Sequence, residues 1–169
     1  MKTQTCRDHF MRWLFVLLAV FSLAACATGP EVVDHAFGFD MRRDNQENVE
    51  ILNYRYGDSK LPVRANEERV KAGDTFGFQG VHGPMLRGSS LYVKWRIKTT
   101  GEVYEDTVDL RKRLPADITD CRIHFIIHGS QLYVYLITPK KRTKDEPPNG
   151  PEMYDDLKTL TIYPDQPKP

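Results

Sequence analysis

The chain has 169 residues, 40% of them hydrophobic and 28% charged, with a formal net charge of +1. That length suits one domain with a real core and is short for two. A charge so near balance gives no electrostatic reason to expect nucleic acid or an anionic membrane surface as partner.

The amino terminus is basic (Lys2, Arg7, Arg12) and is followed by an apolar run from Trp13 to Leu23, then Ala24, Ala25 and Cys26. Charged, apolar and small residues in that order are a secretory signal. The run from Trp13 to Ala25 spans only about 20 Å as a helix, short of the ~30 Å hydrocarbon core, so a spanning helix is disfavoured. Losing Lys2, Arg7, Arg12 and Asp8 with this leader turns the formal +1 into −1.

Leu23-Ala24-Ala25-Cys26 resembles the lipobox of bacterial lipoproteins at all four positions. The resemblance implies cleavage before Cys26, attachment of diacylglycerol to its sulfur, and acylation (typically palmitate) of the new amino terminus. Several acyl chains hold a protein on a bilayer where one binds reversibly. Ala27, which is not Asp, implies the outer membrane, and with it a lipid-anchored protein facing the periplasm.

The domain organisation expected is therefore a signal peptide over 1–25, a tether over 26–32 and a single β-rich domain over 33–169. Ala27-Thr28-Gly29-Pro30 suits a short tether. With Cys6 removed and Cys26 lipidated, Cys121 stands alone, and no intrachain disulfide is available. Cys121 could act as a nucleophile, but a small buried hydrophobe is the favoured role.

After the tether the pattern predicts strands at His35–Met41, Val49–Tyr56, Thr75–Gln79, Ser90–Thr99, Val103–Leu110, Arg122–His128, Gln131–Thr138 and Lys158–Tyr163, with a weaker one at Leu61–Arg64. Asn66, the early acids Glu67 and Glu68, the late base Lys71 and the terminating Gly73 predict a short helical turn. A second turn is expected at Leu110–Leu114, stopped by Pro115. The fold class expected is mainly β: a single antiparallel β-sandwich or open barrel with one or two short helical turns.

Two hairpins are specified in detail. Leu91, Val93, Trp95 and Ile97 alternate with Tyr92, Lys94, Arg96 and Lys98, which predicts a half-buried strand returning through Thr100-Gly101 to an acidic arm with Glu102, Glu105, Asp106 and Asp109. With Gly129-Ser130 as a turn, Ile127 opposes Leu132, Phe125 opposes Val134 and Ile123 opposes Leu136. The reverse face pairs Ile126 with Tyr133 and His124 with Tyr135, so both faces of this hairpin are predicted to be covered. Pro139–Glu152 reads as a charged, mobile loop.

No catalytic, phosphate-loop or calcium-loop signature is present, and no cofactor or metal is expected. Glu105, Asp106 and Asp109 would carry chemistry only if they shared a pocket; cross-strand charge pairing already accounts for them. Cys121, His124 and His128 lack a fourth zinc ligand. The segment Gly80–Gly88 reads as a glycine-rich loop displaying His82, Met85, Leu86 and Arg87. It is either a plain connector or a partner-binding surface.

Beyond the lipobox, the chain is loosely similar to small β-rich Gram-negative lipoproteins of unknown function, some of them encoded beside type VI secretion effectors and protective against them. The similarity rests on architecture and on the hairpin from Tyr92-Val93-Lys94-Trp95-Arg96 to Asp109-Leu110. It implies a membrane-anchored, non-catalytic module binding an envelope protein, as an immunity or assembly factor. The alternatives are a structural lipoprotein contacting peptidoglycan or an outer-membrane protein, and a cell-envelope enzyme using Glu105, Asp106 and Asp109.

Overall fold

Among the described residues, eight strands form two sheets. A computed structural model of the protein describes residues 31–165. The expected signal peptide over 1–25 and residues 26–30 of the expected tether over 26–32 lie outside the described residues. From Val32 onward the chain is one unit with its own core.

The strands are β1 (Val32–Asp40), β2 (Val49–Tyr56), β3 (Phe78–Leu86), β4 (Ser90–Ile97), β5 (Val103–Asp109), β6 (Arg122–His128), β7 (Gln131–Lys141) and β8 (Leu157–Tyr163), with one helix, α1 (Glu67–Ala72), between β2 and β3. One sheet has the order β3-β1-β6-β7-β8 and the other β2-β4-β5. The architecture is the expected β-sandwich. One pairing departs from an all-antiparallel scheme: β1 runs parallel to β6, Ala36 beside Arg122 and Gly38 beside His124.

The core lies between the sheets. Phe37 and Phe39 on β1 and Phe125 on β6 meet Tyr54 and Tyr56 on β2; Phe37 stacks on Tyr56 with centroids 5.0 Å apart, and Phe39 on Phe125 at 4.6 Å. Each fully buried apolar side chain of this size contributes roughly 1.5–3 kcal/mol. Ile51 and Tyr54, three apart, both face the core because a bulge between Ile51 and Asn53 shifts the alternation of β2 by one residue. Trp95 crosses the gap, its indole N–H donating to the Gly129 carbonyl at 3.0 Å in the β6–β7 turn. The β6–β7 register matches the predicted one pair for pair, from Ile123 opposite Leu136 to Ile127 opposite Leu132.

α1 ends as its sequence prescribes. Asn66 accepts from the Arg69 amide at 3.1 Å, and Gly73 closes it in the left-handed region at φ 80°. The Leu110–Leu114 turn also forms, with the Leu114 amide bonding to the Leu110 carbonyl. A 3-10 turn at Glu152–Tyr154 has no counterpart in the sequence reading.

The far side of the larger sheet is covered too. Gln46 accepts from the Ile127 amide at 2.7 Å, and Asp44 from the Glu152 amide at 2.7 Å, so two loops close over Ile126 and Tyr135. Gly150 lies against the Tyr135 ring, where an added Cβ would approach it to 3.2 Å and a Thr159 methyl to 2.8 Å. The segment read as a mobile loop from Pro139 is partly strand, since β7 runs on to Lys141. Beyond it Arg142 bonds the Asp155 and Glu146 carbonyls, and Lys158 pairs with Glu146 at 3.0 Å.

Candidate functional site: a basic cleft beside the smaller sheet

The residues singled out from sequence land in different places. Gly80–Leu86 is not a loop. It lies within β3, paired residue by residue with β1 from Asp40↔Phe78 to Val32↔Leu86. Its glycines are used for close approach: Gly80 faces Gly38 across the strands, and a Cβ on Gly38 would meet the Gln79 carbonyl at 2.5 Å. Met85 is 1% exposed and belongs to the core. Arg87 is turned inward, its guanidinium donating to the carbonyls of Leu114, Pro115 and Ala116 at 3.0, 2.6 and 3.3 Å. Leu86 is half-buried, and His82 is exposed beside Asp34 at 3.4 Å. The four are therefore not one displayed patch, because strand alternation sends Met85 in and His82 out.

The three carboxylates do not converge either. Asp106 accepts from the Tyr163 hydroxyl at 2.7 Å and so links β5 to β8. Glu105 accepts from the Tyr92 hydroxyl at 3.0 Å and lies 3.8 Å from Lys94. Asp109 is gripped by the Arg111 side chain and backbone amide, which hold its carboxyl down at about 2. A general acid needs a shift in the opposite direction.

Cys121 packs in the inter-sheet core, where burial raises its thiol pKa, whereas His124 is on the reverse face of β6. His124 is buried against Tyr154, and neither ring nitrogen has a hydrogen-bond partner. Desolvation, helped by the nearby Arg122 charge, lowers its pKa to about 3. His35 is fully buried as well, but its ring bonds the Val33 carbonyl and the Tyr56 hydroxyl, both at 2.8 Å.

The outer face of the smaller sheet holds the arrangement that sequence reasoning missed. A cleft of about 330 Å³ opens between this face and the chain leading into α1, lined by Asn53, Arg55, Arg64, Glu67 and Tyr92. A second, of about 350 Å³, shares Asn53 and Tyr92 and adds Lys94 and Arg96. Arg55 and Arg64 are antiparallel bridge partners. The flanking bonds run from the Tyr56 amide to the Val63 carbonyl and from the Ala65 amide to the Tyr54 carbonyl, so Arg55 and Arg64 are a non-hydrogen-bonded pair, the kind whose side chains stand closest. Strands were expected at both arginines, but not their pairing; the fold brings Arg64 to Arg55.

No family model, no curated protein and no solved structure matches the chain.

Proposed function

We propose that this protein is an envelope lipoprotein, held on the outer membrane through Cys26 and acting as a non-catalytic module that binds a protein partner in the periplasm. The observation that carries the reading is the join between lipobox and fold: β1 begins at Val32, so residues 27–31 alone separate the lipidated position from the sandwich. Extended at 3.3–3.6 Å per residue they reach at most about 20 Å, which keeps the Val32 end of the domain near the bilayer.

A partner surface is supported on the outer side of edge strand β3. Phe78 is the bulkiest of the exposed apolar side chains (58%), the Arg42 guanidinium lies 5.3 Å from its ring centre, and His82 follows on the same face. An exposed aromatic beside an arginine is a frequent anchor in interfaces. This surface replaces the Met85–Arg87 surface expected from sequence.

Palmitate labelling tests the anchor: Cys26→Ala abolishes incorporation and blocks cleavage before position 26. Unchanged labelling in that variant removes the lipoprotein reading. For the surface, Phe78→Asp abolishes capture of the partner from detergent-extracted envelopes while the protein stays folded; undiminished capture places the interface elsewhere.

A further inference from the structure

We propose that Arg55 and Arg64 form a binding site for a phosphate-type oxyanion, an assignment independent of the lipid anchor and of the β3 surface. Among the described residues they are the two arginines without an acid, carbonyl or ring partner. Arg42 and Arg43 pair with Asp40, Arg69 with Asp74, Arg96 with Glu50, Arg111 with Asp109 and Arg113 with Asp165. Arg87 and Arg142 bond carbonyls, and Arg122 lies over the Tyr154 ring.

The two unpaired cations are also the two that the backbone sets directly opposite one another. Like charges so placed are destabilising in a sheet. An anion between them reverses the sign of that interaction, and the cleft leaves room for one of a few heavy atoms.

The chemistry of the donors selects the class. One guanidinium fork satisfies the two oxygens of a carboxylate, whereas a tetrahedral phosphoryl group has enough oxygens to accept from two forks at once. The Asn53 side-chain amide, which has no hydrogen bond among the described residues, adds a further donor on the cleft wall. Tyr92 contributes a wall rather than a donor, since its hydroxyl is committed to Glu105. Glu67 is the opposing charge in the cleft and weakens anion binding there.

Two sources present this chemistry, free phosphate or its monoesters and the phosphodiester of a lipid headgroup. The full chain in neutral detergent is dialysed at constant ionic strength against radiolabelled inorganic phosphate, and separately against glycerophosphoglycerol, the deacylated headgroup of phosphatidylglycerol. One probe or both bind saturably, and the stronger identifies the source. Arg55→Gln with Arg64→Gln weakens binding at least about tenfold, because the charge-assisted hydrogen bonds of both guanidinium groups are removed. Lys140→Gln with Lys144→Gln, an equal change of charge elsewhere, leaves binding unaltered. Glu67→Gln tightens it about threefold by removing a like charge at close range.

A second readout separates binding from packing. Without phosphate, the double arginine variant melts at the parent temperature or slightly above, because repulsion is relieved. A lower melting point, absence of saturable binding by both probes, or equal binding by the double arginine variant overturns the assignment. A Glu67→Gln protein that binds no more tightly than the parent does so as well.

Discussion

The Tyr56 hydroxyl joins two parts of the sandwich by donating to His35 Nε2 at 2.8 Å while accepting from the Gly88 amide at 3.0 Å. The direction follows from the other side of the ring: His35 Nδ1 lies 2.8 Å from the Val33 carbonyl, which only accepts, so Nδ1 carries the proton and Nε2 is left to accept. Burial raises the Tyr56 hydroxyl to about 12, so it remains a donor at any physiological pH. Tyr56→Phe strands a buried ring nitrogen and a buried amide together, at a cost of about 2–4 kcal/mol. Urea unfolding of the variant measures this; an unchanged midpoint removes the relay from the account.

The two buried histidines contribute to the response to acid, beside carboxylates such as Asp40 and Asp109 that are held below their ordinary values. His35 and His124 are both held below their ordinary value of 6.5 by desolvation, His124 at about 3. Between the folded and unfolded values the unfolded chain binds more protons, so stability rises with pH there. Their contributions are complete above pH 6.5 and fall away below it, that of His124 as pH drops toward 3. His124→Leu flattens this acid limb in melts recorded across that range. It also raises stability near pH 7 by about 1 kcal/mol, because a buried imidazole without partners is replaced by an apolar side chain. A lower melting point at pH 7 in that variant contradicts the burial argument.

Strand alternation in β3 predicts opposite outcomes for neighbours in sequence. Met85→Ser opens a cavity at a core position and costs about 2–5 kcal/mol. His82→Ser, on the exposed side, changes stability by less than about 0.5 kcal/mol. Equilibrium unfolding of the two variants side by side is the measurement, and equal effects would mean that the register is wrong.

Trp95 joins the sheets by packing and by a hydrogen bond, and two substitutions separate these. Trp95→Ala costs about 3–5 kcal/mol through lost burial and the cavity left. Trp95→Phe keeps most of the volume and loses the bond to Gly129, about 1 kcal/mol. A phenylalanine variant as unstable as the alanine one assigns the whole effect to shape.

Local chemistry was readable where neighbours in sequence are neighbours in space. The β6–β7 register followed from Gly129-Ser130 and the alternation on either side, and α1 from Asn66, its early acids and Gly73. What could not be read is what the chain brings together from afar. Periodicity says which way Ala36 faces, and nothing about Arg122 lying beside it. Glycine and proline in Gly80–Gly88 suggested a loop; two of those glycines are contact points, Gly80 beside Gly38 and Gly88 under the Tyr56 ring. The basic cleft was hidden for the same reason, since the weak strand expected at Leu61–Arg64 named no partner, and Arg64 meets Arg55 through one bridge.

The parallel β1–β6 pair imposes an order of assembly. β1 is the first strand of the sandwich to be made, yet it sits inside the larger sheet between β3 and β6. Until Arg122–His128 exists, one long side of β1 has no partner, and Phe39 has no Phe125 to stack on. Contacts so distant in sequence form slowly and late. If the chain is exported through a pore, as proposed, it stays slack until most of its length has passed and closes its sheet only on the far side.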